Sequence, residues 1–380
     1  MSLFQQPASV AFLLTGGGAR TAYQLGVLKY IFSELRIHPE SPIFVGTSAG
    51  AINCYHMTFK AHEGWDIAIE RLCDVWTNLT VDHVYRTDPW HILKGAGNFL
   101  FNFTVGRFIR KRHVESLLDT TPLYLLLRKH AQEDHYHLHE NIQKGIVRAL
   151  GVTAMQYGTG KTITFFEDSP HSGIPEWQRG RREGKRTRLR LKHVMASAAI
   201  PLIFPSVKLE NCYYGDGSIR MSAPLSSAIA LGATKIFTIN LNRGSMAELK
   251  PIETYPSISQ IGGMLYNTIF LDSLDFDLRI LNRMNDMIDR MPSVDPALRK
   301  VESFIMRPSQ DLGLLALPFR KNIPSALQFL VKGLGPTDRS GADFLSYILF
   351  SGDYIRALID IGYRDAEKRK QEILNFFSTG

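Results

Sequence analysis

The sequence predicts an α/β fold: a central, mostly parallel sheet flanked by helices. Three observations predict it. Val10 to Leu14 is an apolar run of strand length that ends in Gly16-Gly17-Gly18. Ala19 to Leu35 then carries Tyr23, Val27, Tyr30, Ile31 and Leu35 at helical spacing. The cycle repeats at once, with Ile43 to Gly46 as a strand, a tight turn, and Ser48 to Lys60 as a helix. Strand, turn and helix in alternation is the pattern of parallel strands joined by crossover helices.

The later elements follow from the same rules. Residues 63–143 read as a mainly helical insert, broken near Asp88-Pro89. Gly145 to Met155 and Lys161 to Phe166 read as strands joined at Gly158-Thr159-Gly160, and Val207 to Tyr214 as a strand ending in Gly215-Asp216-Gly217. A helix from Ser222 to Leu231 and a strand from Lys235 to Leu241 come next. Beyond them the spacing predicts a long helix over Ile258 to Asp289, a strand over Val301 to Met306 and two helices within Ala342 to Phe377. The expected organisation is an α/β domain over 8–242, containing the insert, with a more helical region over 243–380 packed on it.

Composition narrows the class. A hydrophobic fraction of 44% over 380 residues, with 11% aromatic, belongs to a folded protein. Cys54, Cys73 and Cys212 are too few and too scattered for a disulfide framework and suit a reducing, cytoplasmic setting. Met1 to Val10 lacks the charge and apolar core of a signal peptide, and no apolar stretch reaches the roughly 18 residues a spanning helix needs. Any membrane role is expected to be peripheral.

The net charge of +8 is concentrated: Arg179 to Lys192 holds eight basic residues and one acidic residue, leaving the rest close to neutral. A chain basic throughout, of the histone kind, is excluded. The run itself admits an anionic membrane surface, a solvated loop or nucleic acid. Nucleic acid is not expected, because Trp177 is the only ring nearby and no nucleic-acid fold motif accompanies the run.

Three motifs can carry chemistry. Gly46-Thr47-Ser48-Ala49-Gly50 is a G-x-S-x-G sequence between a strand and a helix, where a sharp turn with small neighbours presents a serine hydroxyl. Alone it also describes an inert turn. A Ser…Asp…His order is ruled out for Asp216, because all twelve histidines lie at or before His193. Asp216, between Gly215 and Gly217, is then the candidate base, although Asp-Gly is also ordinary turn chemistry. Gly16-Gly17-Gly18 leaves bare amides at a helix N-terminus, a place for an oxyanion, with Arg20 adding charge or bracing the loop.

Other features point elsewhere less strongly. Gly158 to Thr162 resembles the end of a P-loop, but Met155 stands where a glycine is required, so a hairpin turn is expected. His130, His135, His137 and His139 with Glu133, Asp134 and Glu140 admit a metal, yet read equally well as a polar approach to a helix; no metal is expected. Phe99, Phe101, Phe103 and Phe108 beside Arg107, Arg110, Lys111 and Arg112 suit either a membrane interface or a buried insert, as does Leu314 to Leu334.

Taken together, Gly16 to Arg20, Gly46 to Gly50, Ala196 to Pro201 with Phe204-Pro205, and Gly215 to Gly217 resemble the patatin-like phospholipase family over about Val10 to Leu241. The resemblance implies a three-layer fold, a Ser-Asp dyad, and hydrolysis of lipid acyl esters of the phospholipase A type without metal or other cofactor. It makes Ser48 the nucleophile and Asp216 the base. It makes Gly16, Gly17, Gly18 and Arg20 the oxyanion loop, and Gly46, Gly50, Gly215 and Gly217 the supports of the two turns. Ser218 departs from the second glycine common in that family after Asp-Gly. The alternative is a module that binds anionic membrane or nucleic acid, with a vestigial hydrolase site.

Overall fold

The computed structural model describes residues 9–86, 88, 116–132, 135–220, 224–243, 273–290, 299–322 and 339–378. The Phe99 to Arg112 cluster, the first half of the expected helix over 258–289 and the end of the 314–334 segment lie outside these residues.

The ten strands among the described residues form one sheet. In chain order they are β1 (Val10–Leu14), β2 (Ile43–Thr47), β3 (Ala149–Gln156), β4 (Lys161–Asp168), β5 (Trp177–Arg179), β6 (Arg182–Arg186), β7 (Val207–Leu209), β8 (Cys212–Asp216), β9 (Lys235–Ile239) and β10 (Glu302–Met306). The path β10-β9-β1-β2-β3 is parallel throughout, while β4 and β8 both pair antiparallel with β3. The fold class expected from the sequence is therefore the observed one. The chain runs from β1 through β2 to β3 on one side and from β9 to β10 on the other, so the order reverses between β1 and β9, a switch point beside the loop that follows β1.

The helices used below are α1 (Ala22–Lys29), α2 (Ala49–Lys60), α3 (Trp65–Thr77), α4 (Thr121–Gln132), α5 (His135–Gln143), α6 (Leu191–Ser197), α7 (Leu225–Ala230), α8 (Ser273–Arg290), α9 (Arg339–Ile348), α10 (Gly352–Lys368) and α11 (Lys370–Ser378). They cover both sheet faces. Along β1 the side chains alternate, as a pleated strand requires. Phe12 and Leu14 enter the larger core under α1, α2, α3 and α10, while Ala11 and Leu13 enter a second core under α7 and α8. Strands buried on both faces in this way are continuously apolar, which is why β1 and β2 were legible as runs.

The C-terminal residues belong to the same body. β10 extends the sheet beside β9, and Phe377 of α11 stacks 6.1 Å from Phe12 at the sheet centre. Helices α1 and α10 cross so closely that a Cβ on Gly26 would lie 1.9 Å from the Ile359 carbonyl oxygen, and one on Gly362 2.1 Å from that of Tyr23. Only hydrogen fits at either position.

Three local expectations are corrected. Val207 to Tyr214 is not one strand but the hairpin β7–β8, turned at Glu210-Asn211 with Glu210 at φ 52°. The basic run is not loop throughout: Arg179 to Arg186 lie in the edge hairpin β5–β6, turned at Gly180 with φ 60°, and 187–190 link it to α6. The C-terminal stretch holds three helices, α9, α10 and α11, rather than two. The expected helix from Ala19 opens with a 3-10 turn, Gly18–Thr21, and closes with a π turn, Tyr30–Glu34.

Candidate active site

The glycine loop and the serine turn are the carboxyl-end continuations of neighbouring strands, β1 and β2. Ser48 stands between β2 and α2 at φ 56°, ψ −133°, a sparsely populated conformation that costs about 1–3 kcal/mol and persists only when its surroundings impose it. The surroundings do so sterically. A Cβ on Gly46 would lie 2.5 Å from the Ala51 Cα, and one on Gly50 2.4 Å from the Leu14 carbonyl oxygen. They also do so by hydrogen bonding: the Ser48 amide donates to Ser197 Oγ at 2.8 Å, and that hydroxyl donates to the Thr153 carbonyl at 2.6 Å.

Register brings Asp216 to Ser48. Thr47 pairs with Thr153 across β2–β3, and Ala154 pairs with Asp216 across β3–β8. The ends of β2 and β8 thus meet over β3, although 168 positions separate the two residues in sequence. Gly217 permits this approach, since a Cβ there would lie 2.3 Å from the Thr153 carbonyl oxygen. The Asp216 amide donates to the Ala199 carbonyl at 2.9 Å. The stretch from Ala196 to Ala199 therefore straps both turns together through Ser197 and Ala199, and Ser197 is a support that motif reading left without a role.

Asp216 is fully buried. Oδ1 accepts the Ser218 amide at 2.8 Å, while Oδ2 has no hydrogen-bond partner among the described residues. Burial pushes the carboxyl up to about 6. The Ser48 and Ser218 hydroxyls and the Ser218 amide act the other way, favouring the anion. Neither hydroxyl is closed into hydrogen-bond geometry with Oδ2. Ser218, which departs from the usual glycine, packs its Oγ over Gly16, where a Cβ would lie 2.5 Å away.

Gly16 faces this pair, and Gly18 lines the same cavity as Ser48. A Cβ on Gly16 would also meet the Ser48 Cβ at 2.8 Å, so the loop passes directly against the serine. Gly18 has φ 55° and packs on the Tyr347 carbonyl. A buried chain of hydrogen bonds holds the loop from below: Gln24 to the Thr15 carbonyl at 2.8 Å, Asn53 to Gln24 at 3.0 Å, and Trp76 to Asn53 at 3.0 Å.

Arg20 requires a correction. Its guanidinium is directed to the C-terminal helix α9, not to the oxyanion position: it pairs with Asp343 Oδ1 at 2.6 Å, donates to Ser346 Oγ at 2.6 Å and stacks 4.4 Å from the Tyr347 ring centre. It is 3% exposed, so its charge is matched by Asp343 rather than by solvent. Arg20 braces the loop. Removing the partner of a buried charge is costly, so Asp343→Ala is expected to destabilise the fold by about 3 kcal/mol, read as a lower urea midpoint at unchanged slope.

An apolar cavity opens from Ser48 and Gly18. It is walled by Ile52, Tyr55, His56 and Phe59 of α2, Leu123, Leu126 and Leu127 of α4, Leu191 and Val194 of α6, and Phe350, with an empty volume of about 860 Å³ including its mouth. The insert supplies one wall through α4. Two of the clustered histidines contact carboxylates: His139 Nδ1 lies 2.7 Å from Glu167 and His137 Nδ1 3.1 Å from Glu140. Among the described residues no three His, Cys, Asp or Glu side chains cluster to hold a metal, and no helix is long and apolar enough to cross a membrane.

Comparison with curated proteins yields no match. Among solved structures, the crystal structure of VipD from Legionella pneumophila is similar at 12% identity and a TM-score of 0.31, covering 93% of this chain and 67% of that one; a score that low bears on neither site nor activity. The family comparison is decisive: the model described as patatin-like phospholipase matches residues 12–229, more than half of the chain, and the protein belongs to that family of lipid acyl hydrolases.

Proposed function

We propose that the protein is a serine hydrolase that cleaves carboxylic esters of phospholipids or related lipids, in the phospholipase A manner, through Ser48 and Asp216. Ser48 Oγ attacks the ester carbonyl as its proton passes to Asp216. The Gly17 and Gly18 amides, which donate to no described residue, receive the oxyanion. Collapse expels the alcohol, which takes the proton from Asp216 and leaves the acyl group on Ser48. Water then gives its proton to Asp216 and attacks the acyl-enzyme. The acid departs, Ser48 recovers its proton, and no metal or cofactor takes part.

The observation that carries this reading is the meeting of the strained Ser48 with a buried carboxyl, one oxygen of which is unpartnered, at the mouth of an apolar cavity. An organophosphonate ester probe tests it. The intact, folded protein is expected to gain one phosphonyl group, mapped to Ser48 by peptide mass. Absence of labelling would favour the non-hydrolytic binding module.

The proposal extends to docking on an anionic lipid surface. Within the edge hairpin and the segment after it, Lys185 pairs with Glu183 and Arg186 with Asp168, while Arg179, Arg181, Arg188 and Lys192 are exposed. The run leads straight into α6, whose Leu191 and Val194 line the cavity. Leu125 and Leu202, on segments that also line it, are 54% and 64% exposed. Changing those four basic residues to glutamine is expected to weaken binding to anionic vesicles by roughly a hundredfold at low salt, while turnover of a soluble ester stays within about twofold. Equal loss of both overturns the docking role.

A further inference from the structure

One polar atom in the cavity has no function in the chemistry above. His56 lies on the same face of α2 as Ile52 and Phe59, and its ring edges against Phe59 with centroids 4.7 Å apart. It is 7% exposed, and its Nε2 is fully buried without a hydrogen-bond partner among the described residues. No other side chain lining the cavity leaves a buried nitrogen or oxygen in that state. An unpaired polar atom of this kind is costly to bury, and a matching ligand group recovers that cost.

The ring's protonation state follows from its neighbours. Burial first, and then Lys60, push its pKa down to about 3; His130 and Arg71 act in the same direction. The imidazole is therefore neutral at ordinary pH. The Ala68 main chain of α3 acts the other way, favouring the protonated form. In a neutral ring one nitrogen donates and the other accepts. A hydroxyl can do either, so it completes Nε2 in both tautomers.

Its position along the cavity fixes where that hydroxyl sits. His56 follows Ser48 by eight residues on α2, which at 1.5 Å per residue is about 12 Å. An extended hydrocarbon with bonds of about 1.5 Å spans this in roughly ten carbons.

We propose that this cavity selects acyl esters whose chain bears a hydroxyl group near its middle, with His56 Nε2 hydrogen bonded to that hydroxyl. His56 is on this view a specificity-determining residue, remote from the reacting ester. The inference rests on the hydrolase reading above and supplies its substrate class: esters of mid-chain hydroxy fatty acids.

The test uses three p-nitrophenyl esters of one long-chain acid: unsubstituted, hydroxylated at mid-chain and hydroxylated beside the carboxyl. The wild-type protein is expected to show a kcat/KM for the mid-chain hydroxy ester roughly five- to tenfold above the other two. His56→Leu is expected to abolish that preference, read as the ratio of hydroxy to unsubstituted ester within the variant. Equal wild-type rates for the hydroxy isomers, or a preference that survives His56→Leu, would each overturn the inference and leave the hydrolase reading standing. If His56→Leu does not fold, the wild-type positional series decides alone. No turnover of any ester together with no phosphonate labelling of Ser48 would instead mark failure of the hydrolase reading, and the inference falls with it.

Discussion

Ser48→Ala is expected to lower ester turnover by at least about 10⁴-fold while leaving the fold intact. The loss is large because Ser48 is the nucleophile that lines the cavity: Ser218, whose hydroxyl also acts on Asp216, packs its Oγ over Gly16 and is not among the lining residues. The fold is expected to survive because alanine keeps the Cβ, and the elbow is set by Gly46, Gly50 and the Ser197 bond to a main-chain amide that alanine also has. Circular dichroism and the urea midpoint are the checks on folding. A burst of p-nitrophenol from wild type, absent in the variant, checks the acyl-enzyme. Undiminished hydrolysis by the purified variant would sink the mechanism.

Asp216→Asn is expected to do two opposite things. Turnover falls by about 10³-fold or more, because an amide cannot take the serine proton. Stability at neutral pH rises. The sign follows from linkage. Burial holds the folded carboxyl at about 6, above its ordinary 3.8. Stability that depends on this proton is complete below 3.8 and is lost as the pH rises from there through about 6. Above that the folded protein carries a buried charge at a cost of about 3 kcal/mol, which asparagine removes. The variant is therefore expected to gain most in urea midpoint at pH near 8 and nothing near pH 4. Wild-type kcat/KM is expected to rise with pH through about 6, as Asp216 ionises. A flat profile across that range, or a variant destabilised at pH near 8, would remove Asp216 from the role of base.

Stability and activity thus pull against each other at this residue. An exposed aspartate would titrate near its ordinary value and be a weaker base. Burying it raises its proton affinity towards that of a useful base, and leaving Oδ2 unpartnered keeps the charge available to the serine proton. The strained turn at Ser48 adds a second local cost. Both are tolerated because the straps through Ser197 and Ala199 and the brace from Arg20 to α9 over-determine the positions of the two turns.

Much of this was readable in one dimension. β1 and β2 showed themselves because strands buried on both faces are uninterrupted apolar runs. The elbow showed itself because glycines at 46 and 50 are demanded by contacts under 3 Å with main chain close in sequence or in the adjoining strand. The hairpins escaped notice because a two-residue turn built on Glu210-Asn211, or on Gly180 within a charged run, lacks the usual turn signature. A strand rich in arginine reads as loop until its pairing partner is known.

What the sequence by itself determined is the inventory: an α/β order of elements, a serine at a sharp turn, an aspartate between glycines, and no histidine in the chain after Asp216. What only the tertiary structure decided is which of these meet and in what medium. Sheet register, a contact over 168 residues of chain, brings Asp216 to Ser48 and buries it. Packing of α9 and α10, from the far end of the chain, takes Arg20 out of the site and turns it into a brace. The cavity that leaves His56 unpartnered is walled by α2, α4 and α6 together. These are long-range contacts, set by how faces bury against one another, and local propensity carries no information about them.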